Sequence, residues 1–267
     1  MGNLTSLDES IATDGAVGLH ARWITATFGL VIVSLALAHV VFQSVKYHLD
    51  MPEFYGLVRL FDMGVEANLP TFFSACQLLF VSLLLLMVGL QMRRRSDDLY
   101  GRHWLFLALI FFAMAADEMA EIHEMSVRPL REIAPGLASG LFYWAWVIPA
   151  SILVVVVAFS YARFVFAYLP PDMRKATLGG AAIFVGGAVG VEMPEAMFVE
   201  KNGLDNFTYA MFVLVEETME MTGILIFLSG LLRYIGRHLG VLAIRVAPSQ
   251  STAGAADRPL LGQQPAT

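Results

Sequence analysis

The sequence predicts an all-α fold, a polytopic membrane protein built as a six-transmembrane helix bundle, and three observations lead to this prediction. Hydrophobic residues make up 57% of the 267 residues and charged residues only 15%, whereas soluble domains carry about a quarter charged residues. The mean hydropathy is +0.66. Apolar segments long enough to cross a bilayer core of about 30 Å, at about 1.5 Å per helical residue, occupy most of the chain.

The predicted spans follow these apolar segments in order. They cover residues 23–47, 70–92, 103–127, 140–168, 176–199 and 208–236. The membrane domain therefore extends over residues 21–240, after a short polar tail over residues 1–20. Residues 241–267 carry too little apolar surface to fold, so we expect a disordered tail there.

Three features refine the individual segments. The connection from His48 to Pro70 mixes apolar and acidic residues, which predicts a short interfacial helix or a lid. The fourth span carries Trp144 and Trp146 but no acid, so we expect it to face lipid. The fifth span is rich in glycine, which allows close helix approach, and Pro194 is expected to kink it.

The basic residues predict the orientation of the chain. Of the 17 Lys and Arg residues, twelve fall on the side of the two termini and five on the other side. The positive-inside rule then places both termini in the cytoplasm, with the protein in the plasma (inner) membrane. The single cysteine excludes an internal disulfide framework.

Acidic residues inside the apolar segments are the main indication of function. An ionised side chain at the bilayer centre costs about 2.5–3.5 kcal/mol, and no Lys or Arg lies deep in any span to compensate. These acids must therefore be protonated, hydrated or bound to a cation. They are Asp117, Glu118, Glu121, Glu124, Glu192, Glu195, Glu216, Glu217 and Glu220.

Helix length places several of these groups at one depth. With the predicted orientation, Asp117 lies roughly 21 Å and Glu192 roughly 24 Å above the cytoplasmic edge, and His39 of the first span reaches a similar height. Within the third span, Asp117, Glu121 and Glu124 share one helix face. His123 points away from that face unless the helix distorts near its end. Glu124 can also pair with Arg128 one turn later.

Carboxylates from several helices, completed by imidazole groups, bind iron or manganese ions in helix bundles. The segment Asp117-Glu118-x-x-Glu121-x-His123-Glu124 is loosely similar to the ligand sets of ferritin-like di-iron oxidases, but residue 120, three before His123, is alanine. We therefore predict a divalent metal site, with iron or manganese as candidates, in a possible oxidoreductase acting on a membrane-soluble substrate. Its predicted ligands are the nine acids together with His123 and His39.

Two alternatives use the same acids differently. In the first, the carboxylates carry protons or divalent cations along a transport pathway. In the second, they are protonated and only join helices through hydrogen bonds. The expected partners are the lipid bilayer and a lipid-soluble substrate or a cation, with no nucleic acid. The sequence leaves the oligomeric state open.

Overall fold

The computed structural model describes residues 20–94, 100–133, 136 and 138–239, and these residues form helices and no β-strand. Most of the predicted tails over residues 1–20 and 241–267 lie outside the described residues. The α-helices of the described residues are α1 (Ala21–His48), the four-residue α2 (Leu57–Leu60), α3 (Leu69–Arg93), α4 (Gly101–Ala120), α5 (Ile122–Ile133), α6 (Val147–Arg163), α7 (Pro171–Val185), α8 (Glu192–Asn202) and α9 (Phe207–His238). Short 3₁₀ turns cover Phe54–Gly56 and Gly140–Phe142.

Within the described residues, five helical segments are long and apolar enough to cross a membrane. They are Ala21–His48, Leu69–Arg93, Gly101–Ala120, Val147–Tyr168 and Pro171–Asn202. Helix α9 has 32 residues but carries three glutamates within little more than one turn. The structure therefore agrees with a multi-pass membrane protein and supports five of the six predicted spans by length and composition.

Helix α9 occupies the centre of the bundle. It packs against α1, α3, α7 and α8, while α3 packs along most of α4. The principal apolar core joins α3, α4 and α9 around Leu85, Trp104 and Leu228, whose side chains are fully buried. Because α9 contacts the other helices along its length, the glutamates in its first half lie inside the bundle.

Glycine sets the distance between α7 and α9. A Cβ atom on Gly180 would lie 2.6 Å from the carbonyl oxygen of Gly223, and one on Gly223 would lie 2.6 Å from the backbone nitrogen of Phe184. Any larger residue at either position would push the two backbones apart. The glycine-rich fifth segment therefore allows the predicted close approach, which brings its acids towards those of α9.

The third span differs from its predicted bounds. It ends at Ala120 rather than residue 127, because Glu121 adopts a left-handed conformation with φ 52° and starts a new helix direction. The side chain of Asp117 accepts a hydrogen bond from the backbone N–H of His123 at 2.9 Å. This carboxylate thus satisfies a free N–H at the start of α5, and that contact favours the break.

The fifth segment contains a wide turn rather than a simple proline kink. The chain forms a π-helical turn over Gly186–Val191, directly before Glu192. Pro194 has no N–H to donate to the carbonyl of Gly190. In the wider turn, the N–H of Glu192 donates to the carbonyl of Gly187, five residues earlier. The turn separates α7 from α8 and sets the direction of the acids on α8.

The fourth span begins at Val147 rather than residue 140, after the 3₁₀ turn and the two tryptophans. Its outer side is apolar, with exposed Ile152, Val156 and Phe159. This surface agrees with the predicted lipid-facing position. The inner side of the same helix faces a cavity.

Candidate functional site

A large cavity lies between α4, α6, α7 and α9, with a volume of about 1350 Å³. One end is lined by acidic residues and the other by apolar ones. The acid end is defined by Glu66, Asp117, Glu118, Glu121, His123, Glu124, Glu192, Glu195, Glu216, Glu217 and Glu220. The structure therefore brings every predicted site residue except His39 to one cavity.

Asp117 and His123 form a close pair across the break after α4. The Nδ1 atom of His123 lies 2.9 Å from Oδ2 of Asp117, and Asp117 Oδ1 accepts from the backbone of the same histidine. Burial by itself lowers the pKa of His123, but the hydrogen bond to Asp117 and its negative charge outweigh burial and raise that pKa. Donation from Nδ1 leaves Nε2 as the ring atom available to a ligand.

This geometry corrects the expected helix face. Asp117, Glu121 and Glu124 do not share one face, because the backbone changes direction at Glu121. The same change turns His123 back towards Asp117, whereas an ideal helix would point it away. The sequence lacked a proline or glycine at this position to indicate the break.

Trp146 brings the fourth span into the site. Its indole N–H donates to Oε1 of Glu192 at 2.7 Å, and its ring packs against His123 with 4.7 Å between ring centroids. From the sequence we expected Trp146 to face lipid, because the fourth span carries no acid. The contact with Glu192 depends on the tertiary structure, which brings the residue before α6 to the start of α8.

The remaining acids gather where α8 meets α9. Glu195 is 4% exposed, and its Oε2 atom has no hydrogen-bond partner. Glu216 is in electrostatic contact with Glu192, Glu195 and Glu220, and Glu217 is in contact with Glu118 and Glu220. The carboxyl groups of α4, α8 and α9 thus lie close together at the acid end of the cavity.

Two arginines, Arg128 and Arg131, also line the cavity. In the described part of the chain, no Lys or Arg forms an ion pair with an acid of the cavity. The expected pair of Glu124 and Arg128, both described, does not form. Arg131 instead donates to the carbonyl of Tyr143 from Nε at 3.2 Å and from an Nη atom at 2.6 Å.

His39 lies elsewhere. Its Nδ1 atom accepts from the N–H of Met63 at 2.9 Å, and Nε2 donates to the carbonyl of Ala210 at 3.0 Å. Because both ring nitrogens are engaged and His39 does not line the cavity, the structure does not bring it to the other candidate ligands. It ties α1 to the start of α9 and to the loop before α3.

That loop supplies a residue that the sequence analysis did not select, Glu66. Asn68 orders the loop by donating to the carbonyl of Val65 at 2.5 Å and by accepting from the N–H of Thr71 at 3.0 Å. Glu66 thereby reaches the acid end. Burial, together with the charges of Glu121 and Glu124, raises the pKa of Glu66. The mixture of apolar and acidic residues in this loop was the available signal.

As they stand, the side chains form no compact ligand set. Among residues 20–94, 100–133, 136 and 138–239, no three His, Cys, Asp or Glu side chains are arranged to hold a metal ion. The chemistry of the groups still suits hard cations, because oxygen donors predominate and one imidazole is available. The carboxylates would have to draw together around a bound ion.

Comparison with known proteins gives a family but no activity. The family described as "Domain of unknown function (DUF8692)" matches residues 24–235, and the chain belongs to this family. No curated protein and no solved structure matches the chain. The function must therefore be inferred from the cavity.

Proposed function

We propose that this member of the DUF8692 family is a metal-dependent membrane enzyme, an oxidoreductase that acts on a membrane-soluble substrate. One observation carries the proposal: a single cavity joins an end lined by acids from α4, α8 and α9 to an apolar end. Acids in an apolar bundle are costly unless a cation compensates them. The apolar end offers space for a substrate beside that cation.

His123 and the acids of α8 and α9 would hold the metal. A metal-bound histidine usually donates its other ring N–H to a carboxylate, and Asp117 stands in that position beside Nδ1 of His123. Asp117 would then orient the imidazole, while Glu192, Glu195 and Glu216 supply oxygen ligands. Bound iron or manganese would supply redox chemistry and polarise a substrate oxygen.

The proposal includes α9 as the sixth span. Its 32 residues measure about 48 Å, more than a bilayer core requires. Glu216, Glu217 and Glu220 line the cavity, so these acids do not prevent α9 from crossing the membrane. Six crossings would place both termini on one side, and the basic residues favour the cytoplasm.

Transport of a proton or a divalent cation is the second candidate. It is favoured by the continuation of carboxylates from Glu66 in the loop to Glu220 on α9. The opposite end of the cavity is lined by Trp104, Phe164 and Met173, which provide no ionisable side chain for an exit path. The enzyme proposal needs no such path, because a catalytic pocket can end blind.

The test is elemental analysis of the full chain, purified in mild detergent without chelator and compared with the Glu216→Gln variant. We expect about two equivalents of iron or manganese, as in helical di-metal sites, and a clear loss in the variant. Glu53→Gln is the matched control, because Glu53 is exposed and lies outside this cavity.

Absence of transition metal from the wild type, or equal metal in both glutamine variants, would contradict the enzyme proposal. In the first case, cation flux into proteoliposomes would support transport, provided that Glu216→Gln abolishes the flux.

A further inference from the structure

We infer that the apolar part of the cavity binds one long hydrocarbon chain of a membrane amphiphile whose small, uncharged polar head donates a hydrogen bond at the acid end. This inference rests on the proposed function and names its substrate class. Four observations carry it: the length of the apolar part, the buried aromatic residues at its far end, its side opening and the unpaired acceptor at the acid end.

The inner face of α6 forms a long, narrow wall. The cavity is lined below Trp146 by Ala150, Leu153, Val154, Val157, Ala158 and Ala162, and this i, i+3, i+4, i+7, i+8 pattern places them along one side of the helix. The sixteen residues from Trp146 to Ala162 correspond to about 24 Å of helix. Small side chains along this face leave a channel as long as most of a bilayer core.

Buried aromatic residues line the far end of this channel. Trp104 and Phe164 line it and are almost completely buried, with their rings 5.1 Å apart in an edge-to-face contact. Met173 is buried beside them. The volume of about 1350 Å³ exceeds the roughly 300–1,000 Å³ of ordinary small-molecule pockets. A long flexible chain suits a space that is large and elongated.

The cavity opens sideways at the depth of the apolar segments. Leu153 of α6 and Leu178 of α7 line it and are also 63% and 43% exposed. Two hydrogen bonds hold α6 near its ends. The indole N–H of Trp146 donates to Glu192, and the hydroxyl of Tyr161 donates to the carbonyl of His103 at 2.9 Å. An apolar molecule can therefore enter from the membrane without passing through water.

The acid end selects the head group. An anionic head would meet eleven carboxylic acids and only two arginines, Arg128 and Arg131, along the cavity wall, and in the described residues neither arginine pairs with those acids. Glu66 lines this end and is not among the proposed metal ligands, and its buried Oε2 atom has no hydrogen-bond partner. A hydroxyl group satisfies it by donation. The structure thus favours a long-chain alcohol over a fatty acid.

Photolabelling tests the inference. The full chain is reconstituted into phosphatidylcholine nanodiscs with stearyl alcohol that carries a diazirine at mid-chain, and the labelled peptides are identified by mass spectrometry. We expect labels on the cavity-facing residues of α4 and α6. Stearic acid with the same diazirine is compared in parallel and should label the cavity more weakly.

Filling the channel should remove the label. Ala158→Phe places a ring in the channel and should reduce labelling at least about fivefold, which corresponds to about 1 kcal/mol of binding. Ala162→Leu, nearer the closed end, gives a milder second test. Ala182→Phe is the matched control, because Ala182 is exposed and does not line the cavity. All variants are first compared by thermal unfolding.

Equal labelling of Ala158→Phe and wild type, labels confined to the outer face of α6, or stronger labelling by the acid would overturn the inference. The metal is measured on the same samples. Loss of labelling specificity with metal retained contradicts this inference alone, whereas specific labelling without metal contradicts the proposed metal enzyme alone.

Discussion

His39 and Glu195 are both almost completely buried near the same end of the bundle, 0% and 4% exposed, yet their polar atoms have different surroundings. Both nitrogens of His39 are hydrogen-bonded to backbone groups of other segments. Glu195 has an unpaired oxygen and lies among other carboxylates. Burial is therefore common to the two residues, but only Glu195 has a buried polar atom without a hydrogen-bond partner, although its carboxyl group also contacts Glu216 and Trp144.

This difference separates a structural role from a binding role. A polar group whose partners are built into the fold stabilises that fold, because breaking the contact leaves buried atoms unpaired. A group without such partners adds little stability and is free to bind a ligand. Substitutions around His39 should therefore lower the stability of the fold. Substitutions among the acids should leave that stability unchanged or raise it.

The largest expected effect is at His39. His39→Leu leaves the N–H of Met63 and the carbonyl of Ala210 unpaired, so we expect the free energy of unfolding to fall by about 2–4 kcal/mol. Chemical denaturation in mild detergent measures this change. His39→Gln, which keeps a donor and an acceptor, should recover part of the loss. Loss of bound metal without loss of stability would instead place His39 in the site.

Asp117 has both a structural and a binding role, because it is hydrogen-bonded to His123 and also lines the cavity. Asp117→Asn removes a charge-assisted hydrogen bond and should cost about 1.5–3 kcal/mol. Because the carboxylate raises the pKa of His123, its stabilisation is complete below about pH 6.5 and is lost as pH rises through the raised pKa. Denaturation and histidine NMR across pH should show this dependence in wild type and not in the variant.

At Glu216 we expect a change in stability of the opposite sign, a gain. Glu216→Gln relieves contact among like charges on α8 and α9, so the metal-free protein should gain about 0.5–2 kcal/mol. Thermal unfolding in the presence of chelator measures the gain, with Glu53→Gln as the unaffected comparison. A clear loss of stability would indicate that Glu216 joins helices, as in the structural alternative.

The smallest effect is expected at an exposed ion pair. Asp205 lies 3.1 Å from Nζ of Lys46 and accepts from the hydroxyl of Tyr47 at 2.9 Å, and these contacts lower the pKa of Asp205. Asp205→Asn should change stability by less than about 1 kcal/mol. The small contribution is present above about pH 4 and is lost as pH falls through the lowered pKa, which denaturation at two pH values detects.

The sequence predicted the helices better than their ends. Apolar length alone located most of the spans, because membrane helices must satisfy their backbone within one segment. The sequence did not predict the break at Glu121 or the π-helical turn before Glu192, because both depend on tertiary contacts and hydrogen-bond patterns that residue types do not encode. Asp117, for example, favours the break by accepting from the backbone of His123.

The candidate site divides in the same way. The sequence by itself determined that many acids lie in apolar helices and therefore need compensation, since the cost of burying charge depends only on residue type and depth. The tertiary structure decided which groups meet: it placed His39 among backbone partners, brought Glu66 and Trp146 to the acids, and opened an apolar channel beside them. Those outcomes depend on how close the helices pack, which the glycines of α7 and α9 permit but only the folded bundle defines.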